Sequence, residues 1–168
     1  VLSGDKYLNR RPMARVAKPL VAVGAKIDGA NEANTAPLCI RGKKLERFKY
    51  DSPVASAQVK SALLLAALYS NGCEFSEPEL SRDHTERMLR GMGAKIKTQG
   101  ASIALEPMDA PLAPLDIDVP NDPSSAFFFA VAACIIPNSH IVLRNVLLNE
   151  TRIEAYKILQ KMGADIKF

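Results

Sequence analysis

From Arg11 onward, Pro12, Met13, Val16, Leu20 and Val21 recur at the spacing of one helix face, and Pro12 suits a first-turn position. Pro37 to Ile40 and Leu45 to Tyr50 read as short strands around an Arg41-Gly-Lys-Lys44 turn. Ser56 to Ser70 is apolar almost throughout after its first turn, which predicts a buried helix closed at Asn71-Gly72. A strand over Cys73 to Glu77, a helix over Ser81 to Met92 and a hairpin pairing Lys95 to Lys97 with Ser102 to Glu106 follow. Leu115 to Val119 reads as a strand, and Asp122-Pro123 is an N-cap and first-turn pair for a helix reaching Ile136. Ile141 to Leu147 reads as another strand, and Thr151-Arg-Ile-Glu154 as a capping box opening the last helix.

Three helix patterns break identically, at Val23-Gly-Ala-Lys-Ile27, Met92-Gly-Ala-Lys-Ile96 and Met162-Gly-Ala-Asp-Ile166. Glycine just past the last turn takes the left-handed conformation without a Cβ penalty, so each copy marks a helix stop followed by a strand. Gly24, Gly93 and Gly163 stand about 70 residues apart, the length of a supersecondary block rather than a solenoid repeat. Overlaying the copies places Ser56 on Ser124, Ser81 on Thr151 and Arg82 on Arg152. The expected fold is α/β, with repeated β-α-β-α-β-β units of which the chain holds roughly two. Stopping after Ile166-Lys-Phe168, in mid-unit, suggests a piece of a longer polypeptide. Pro107, Pro111, Pro114, Pro120 and Pro123, from eleven prolines in all, form a connector over 107–122. The expected division is residues 1–120 and 121–168.

At 168 residues and 48% apolar content the chain can bury a sizeable core. Its longest apolar runs, Ala62 to Tyr69 and Ala126 to Ile136, are short of the ~20 residues of a membrane span, so no membrane partner is expected and the reading is cytoplasmic. Cys39, Cys73 and Cys134 are isolated in apolar surroundings, which fits buried reduced thiols rather than a disulfide framework or a metal site. Net charge is +4, concentrated in Lys6, Arg10, Arg11, Arg15 and Lys18 and in Arg41, Lys43, Lys44, Arg47 and Lys49, so small anionic partners are favoured.

Candidate chemistry starts at Ser52-Pro-Val-Ala-Ser-Ala-Gln-Val-Lys-Ser61, which puts Ser56, Gln58, Lys60 and Ser61 on the opening turns of an oily helix. No Asp or Glu lies between Asp51 and Glu74 to offset the unpaired amides there, so a phosphate or carboxylate could. The plainer alternative is capping by Ser56 with a solvated Lys60. In Ser81-Arg-Asp-His-Thr-Glu86, Ser81 suits the N-cap and Asp83 and Glu86 the first turn, leaving Arg82 available to grip an anionic oxygen bidentately. Leu2-Ser-Gly-Asp5 marks a tight turn, and Arg10 and Arg11 precede Pro12 at the positive end of a helix or form a solvated basic face.

Leu2-Ser-Gly-Asp with Arg-Pro-Met13, Pro53-Val-Ala-Ser-Ala-Gln-Val-Lys-Ser-Ala-Leu-Leu65 and Ser81-Arg-Asp-His-Thr-Glu86 together resemble, in order, signatures of the 5-enolpyruvylshikimate-3-phosphate synthases. The likeness covers the whole chain. It implies an α/β prism in two halves, each of three β-α-β-α-β-β units, with the active site in the cleft between them. It also implies transfer of the carboxyvinyl group of phosphoenolpyruvate to the 5-hydroxyl of shikimate 3-phosphate through a tetrahedral intermediate, in the shikimate pathway of aromatic amino acid biosynthesis. By the same resemblance Arg11 grips phosphoenolpyruvate. Ser56, Ala57 and Gln58 hold shikimate 3-phosphate, Gln58 also touching the phosphoenolpyruvate side, and Arg82 closes over the shikimate moiety. Where other members carry serine, Ala57 offers only its backbone amide.

No metal or organic cofactor is implied, and the complete enzyme is expected to be a monomer that binds no nucleic acid. The family's opening Lys-Ser with a downstream Arg, its Gly-Asn-rich loop, its later Asp and Glu-Lys acid/base group and its C-terminal arginines have no counterpart here. The chain thus supplies no catalytic proton carrier, is expected to be inactive alone, and would have the remainder of its polypeptide as its main partner. The alternatives are a UDP-N-acetylglucosamine enolpyruvyl transferase-like enzyme and a nucleic-acid module of related fold using Arg41 to Lys49 on phosphates.

Overall fold

Alternation in Cys73-Glu-Phe-Ser76 puts Cys73 and Phe75 inward and Glu74 outward, the pattern of a strand with one covered face. In a computed structural model describing residues 1–168, this strand, β4 (Cys73–Ser76), lies within a four-stranded sheet. Its partners are β3 (Phe48–Asp51), β5 (Ile96–Gln99) and β6 (Ser102–Leu105), in the order β3-β4-β6-β5. The β3–β4 pair is parallel and the others antiparallel. A parallel pair needs a crossover, supplied by helix α3 (Ala57–Leu68).

α3 is apolar on nearly every side because it is enclosed. Leu63, Leu64, Ala67 and Leu68 pack with Cys73, Phe75, Ile96, Ile103 and Leu105 of the sheet and with Leu89 of helix α4 (His84–Gly91). Each buried leucine contributes about 2 kcal/mol relative to exposure. Leu20 and Val23, at the end of helix α1 (Ala14–Ala22) and just beyond it, pack against this cluster. Ala17 of α1 joins Ala33 and Leu38 over an antiparallel pair, β1 (Lys26–Gly29) and β2 (Thr35–Arg41). β1 and β2 are joined by a single left-handed turn, α2 (Ala30–Ala33). Gly24, Gly93 and Gly163 have φ of 101°, 91° and 103°, as the repeated helix stop requires, but the expected strand follows only the first two, as β1 and β5; none follows Gly163.

The chain divides into two compact units, Val1–Leu115 and Asp116–Phe168. The second carries helix α5 (Pro123–Ile135), capped by the Asp122 carboxylate on the Ser124 and Ser125 amides, and helix α6 (Glu154–Lys161). Its core is small: Ala130, Ile153 and Tyr156, with Phe127 edge-on to Tyr156.

Several local expectations are corrected. Both strands flanking the Arg41–Lys44 turn form, but the second begins at Phe48 rather than Leu45, and they belong to different sheets, β2 pairing with β1 and β3 with β4. Leu115 to Val119 forms no strand, and Ile141 to Leu147 makes a single bridge, Asn121 to Val146, without extending into a ladder. Ser81 does not cap α4, whose N-cap is Asp83, because Glu77 takes the Ser81 hydroxyl and amide. Thr151 does not cap α6: its hydroxyl and amide both donate to Asn149 Oδ1. Of the three cysteines only Cys73 is buried; Cys39 is half-buried and Cys134 exposed.

Candidate functional site: two adjoining helix starts

Ser56 takes an extended conformation (φ −149°, ψ 106°) and its Oγ accepts the Val59 amide at 3.4 Å, capping α3 as expected. No acidic residue occupies the first turn. Ala57 and Gln58 open the helix, with Gln58 exposed.

Lys60 breaks the expected pattern, being neither solvated nor ligand-facing. Two residues around a helix is a rotation of about 200°, so with Gln58 outward Lys60 points into the protein, where it is 0% exposed. Its Nζ lies 2.8 Å from Glu77 Oε1 and 2.8 Å from Glu86 Oε1, and donates to the Ser81 carbonyl at 3.4 Å. Glu77 in turn accepts the Ser81 amide at 2.9 Å and its hydroxyl at 2.9 and 2.8 Å. Desolvation pushes the Glu77 carboxyl up, but hydrogen bonds from Lys60 and Ser81 together hold it below the usual carboxylate range. Ser61 Oγ meets Thr85 Oγ1 at 2.6 Å, a second tie between α3 and α4. Sequence reasoning missed this cluster. Its signal was a single lysine in an otherwise apolar helix, which must find carboxylates if buried.

Arg82, one residue ahead of the α4 N-cap, is exposed and pairs with no carboxylate. The second unit gives the comparison. Arg152, one residue ahead of the α6 N-cap, donates to Asp122 Oδ1 at 2.7 Å and to Ser124 Oγ at 2.8 Å. Those are the N-cap and second residue of α5. Aligned by helix start, the first-unit equivalents are Ser56 and Gln58, a register two residues away from the sequence overlay of Ser124 on Ser56. Where the second unit answers its arginine with a carboxylate, the first offers a hydroxyl and a carboxamide.

Arg11 stands on a different element, in extended backbone (φ −71°, ψ 138°) between a 3-10 turn (Leu8–Arg10) and α1. It is exposed and makes no ion pair, as are Arg10 and Arg15. Asp5 is occupied in holding the turn, accepting the Tyr7 and Leu8 amides at 2.8 Å each. In the second basic cluster Arg41 pairs with Asp28, Arg47 with Glu106 and Lys49 with Asp51. These pairings leave Lys43 and Lys44 as its unpaired cations. A depression on the outer face of the four-stranded sheet, between Lys49, Glu74, Arg90 and Lys97, holds none of the sequence-predicted site residues. Its charges are of both signs, so it does not compete with the helix starts for an anion.

A helix start without acidic residues, tied through Lys60 to the helix that the unpaired Arg82 precedes, has the chemistry a small anion requires. Over residues 1–168 the chain matches the family described as EPSP synthase (3-phosphoshikimate 1-carboxyvinyltransferase), and it belongs to that family. It is 98% identical, over its full length, to a 3-phosphoshikimate 1-carboxyvinyltransferase of Campylobacter curvus and 80% identical to that of Campylobacter concisus. The chain spans 40% and 39% of those two relatives. Among solved structures it resembles EPSP synthase from Acinetobacter baumannii, with a TM-score of 0.83 at 47% identity, over 97% of this chain and 37% of that one.

Proposed function

We infer that this chain is the part of a 3-phosphoshikimate 1-carboxyvinyltransferase that presents shikimate 3-phosphate to phosphoenolpyruvate. Family membership supports the reaction: the 5-hydroxyl adds to the enol carbon of phosphoenolpyruvate, and phosphate then leaves the tetrahedral adduct. Ser56, the Ala57 amide and Gln58 take the phosphate and hydroxyl groups of shikimate 3-phosphate, and Arg82 closes on it from the start of α4. Arg11 takes phosphoenolpyruvate, with Gln58 reaching both substrates. This chain's contribution is to hold two polyanions in register, an entropic and electrostatic one. The proton carriers belong to the rest of the polypeptide, so the chain alone does not turn over. The complete enzyme is a cytoplasmic monomer.

The observation that carries this reading is the contrast between Arg152, answered by Asp122, and Arg82, left without a carboxylate beside an equivalent helix start. In a full-length enzyme containing this segment, Arg82→Ala raises KM for shikimate 3-phosphate by about 10–100-fold, as for a lost hydrogen bond to a charged group. Arg11→Ala raises KM for phosphoenolpyruvate. An unchanged KM for shikimate 3-phosphate in Arg82→Ala refutes the assignment of that residue.

A further inference from the structure

The network around Lys60 is placed where a purely structural ion pair has no need to be. It joins the first turn of α3, which carries Ser56 to Gln58, to the turn from Glu77 to Ser81, from which Arg82 emerges, and to Glu86 in the first turn of α4. Lys60 also donates its backbone amide to the Ser56 carbonyl, so one residue is bonded to the cap of one helix and the approach to the other. The arrangement is expensive: one ammonium faces two carboxylates, all three side chains are at most 2% exposed, and Glu86 Oε2 has no hydrogen-bond partner. Buried charge of this kind is weak as a source of stability, since well-packed apolar residues serve as well. What it supplies is a fixed geometry between the groups it bridges. In the second unit Arg152 and Asp122 make the equivalent helix-to-helix connection directly; in the first no such bond joins Arg82 to Ser56 or Gln58, and the tie between the helices runs through the buried Lys60.

We propose that Lys60, clasped by Glu77 and Glu86, is a positioning residue that sets the separation of Gln58 and Arg82 and so the fit of the bound anion between them. The proposal rests on the assignment of Arg82 and Gln58 to shikimate 3-phosphate. Lys60 touches no substrate; it acts through the two helix starts.

The test is a double-mutant cycle in a full-length enzyme containing this segment, read as KM for each substrate and kcat. Lys60→Met raises KM for shikimate 3-phosphate about tenfold and KM for phosphoenolpyruvate by less. In an Arg82→Ala background the same change has little further effect, because the placement it disturbs no longer matters. Ile103→Ala, a core truncation away from the network, lowers thermal stability while leaving KM for shikimate 3-phosphate within about twofold. Should Lys60→Met not fold, Glu77→Gln cuts the ammonium–carboxylate tie to the Ser81 turn while leaving Lys60 paired with Glu86, and raises the same KM about threefold. The proposal is overturned if the folded variant keeps its KM, if the Lys60 and Arg82 effects multiply independently, or if Ile103→Ala raises KM as much. If Arg82→Ala alone leaves KM unchanged, it is the substrate assignment that fails.

Discussion

Gln58 and Lys60 are two positions apart, both polar and both on the opening turns of one helix, yet one faces solvent and the other is fully enclosed. Composition treats them alike; helical phase separates them. The same sensitivity to surroundings governs the ionisable groups. Burial pushes the Cys73 thiol up to about 12, opposed only in part by Arg47. Since the thiolate is the reactive form, Cys73 stays unmodified by iodoacetamide near neutral pH in the folded protein and becomes labelled once urea unfolds it, as peptide mass spectrometry will show. Glu77 runs the other way. Its folded carboxyl titrates below the ordinary glutamate value of 4.5, so its ionised form stabilises the fold above that pH, and the contribution is lost as pH falls through the depressed folded value. Urea midpoints measured across that acidic window fall more steeply for the wild-type chain than for Glu77→Gln; parallel slopes would show that Glu77 is not the group responsible.

Elements were legible where their signal was local. α3 follows from a run of apolar residues behind a serine cap, α5 from Asp122-Pro123, and the β5–β6 hairpin from two alternating stretches around Gly100. The candidate site was legible in part for the same reason: Ser56 as a cap and Arg82 as an unexplained arginine are both short-range inferences. What escaped depended on partners distant in sequence. Ser81 reads as an N-cap until Glu77 is seen to bind it, and Lys60 reads as solvated until Glu77 and Glu86 converge on it. Glycines show the division at its sharpest. Gly93 has φ of 91° and open space where an added methyl would sit, so Gly93→Ala carries only the left-handed penalty of about 1–2 kcal/mol. Gly72 has φ of 77°, and a Cβ there would lie 2.4 Å from the Leu105 carbonyl oxygen, which is sheet backbone and cannot yield easily. Gly72→Ala is expected to cost about 2–4 kcal/mol from strain and overpacking combined. Urea denaturation of the two variants side by side gives the ordering, and equal losses would mean that the contact relaxes.

At the scale of the whole chain, the two units are unequally built. Unit one holds α3 between sheet and helix, with Leu63, Leu64, Ala67 and Leu105 at 0% exposure. Unit two relies on Ala130, Ile153 and Tyr156, with the Tyr156 hydroxyl donating to the Pro123 carbonyl at 2.6 Å. It leaves Phe128 77% and Ile135 73% exposed on α5. Little buried apolar area and many solvent-facing backbone bonds place a segment at the low end of local stability. In the isolated chain, amides of α5 and α6 therefore exchange with solvent through local opening well before those of α3, β4 and β6, which exchange only on opening of unit one. Hydrogen exchange followed by mass spectrometry resolves the order peptide by peptide. Adding the remaining segments of the polypeptide should protect α5 selectively, because its exposed phenylalanines have the most apolar surface to cover. Uniform protection across both units before any addition would show that the second core suffices by itself.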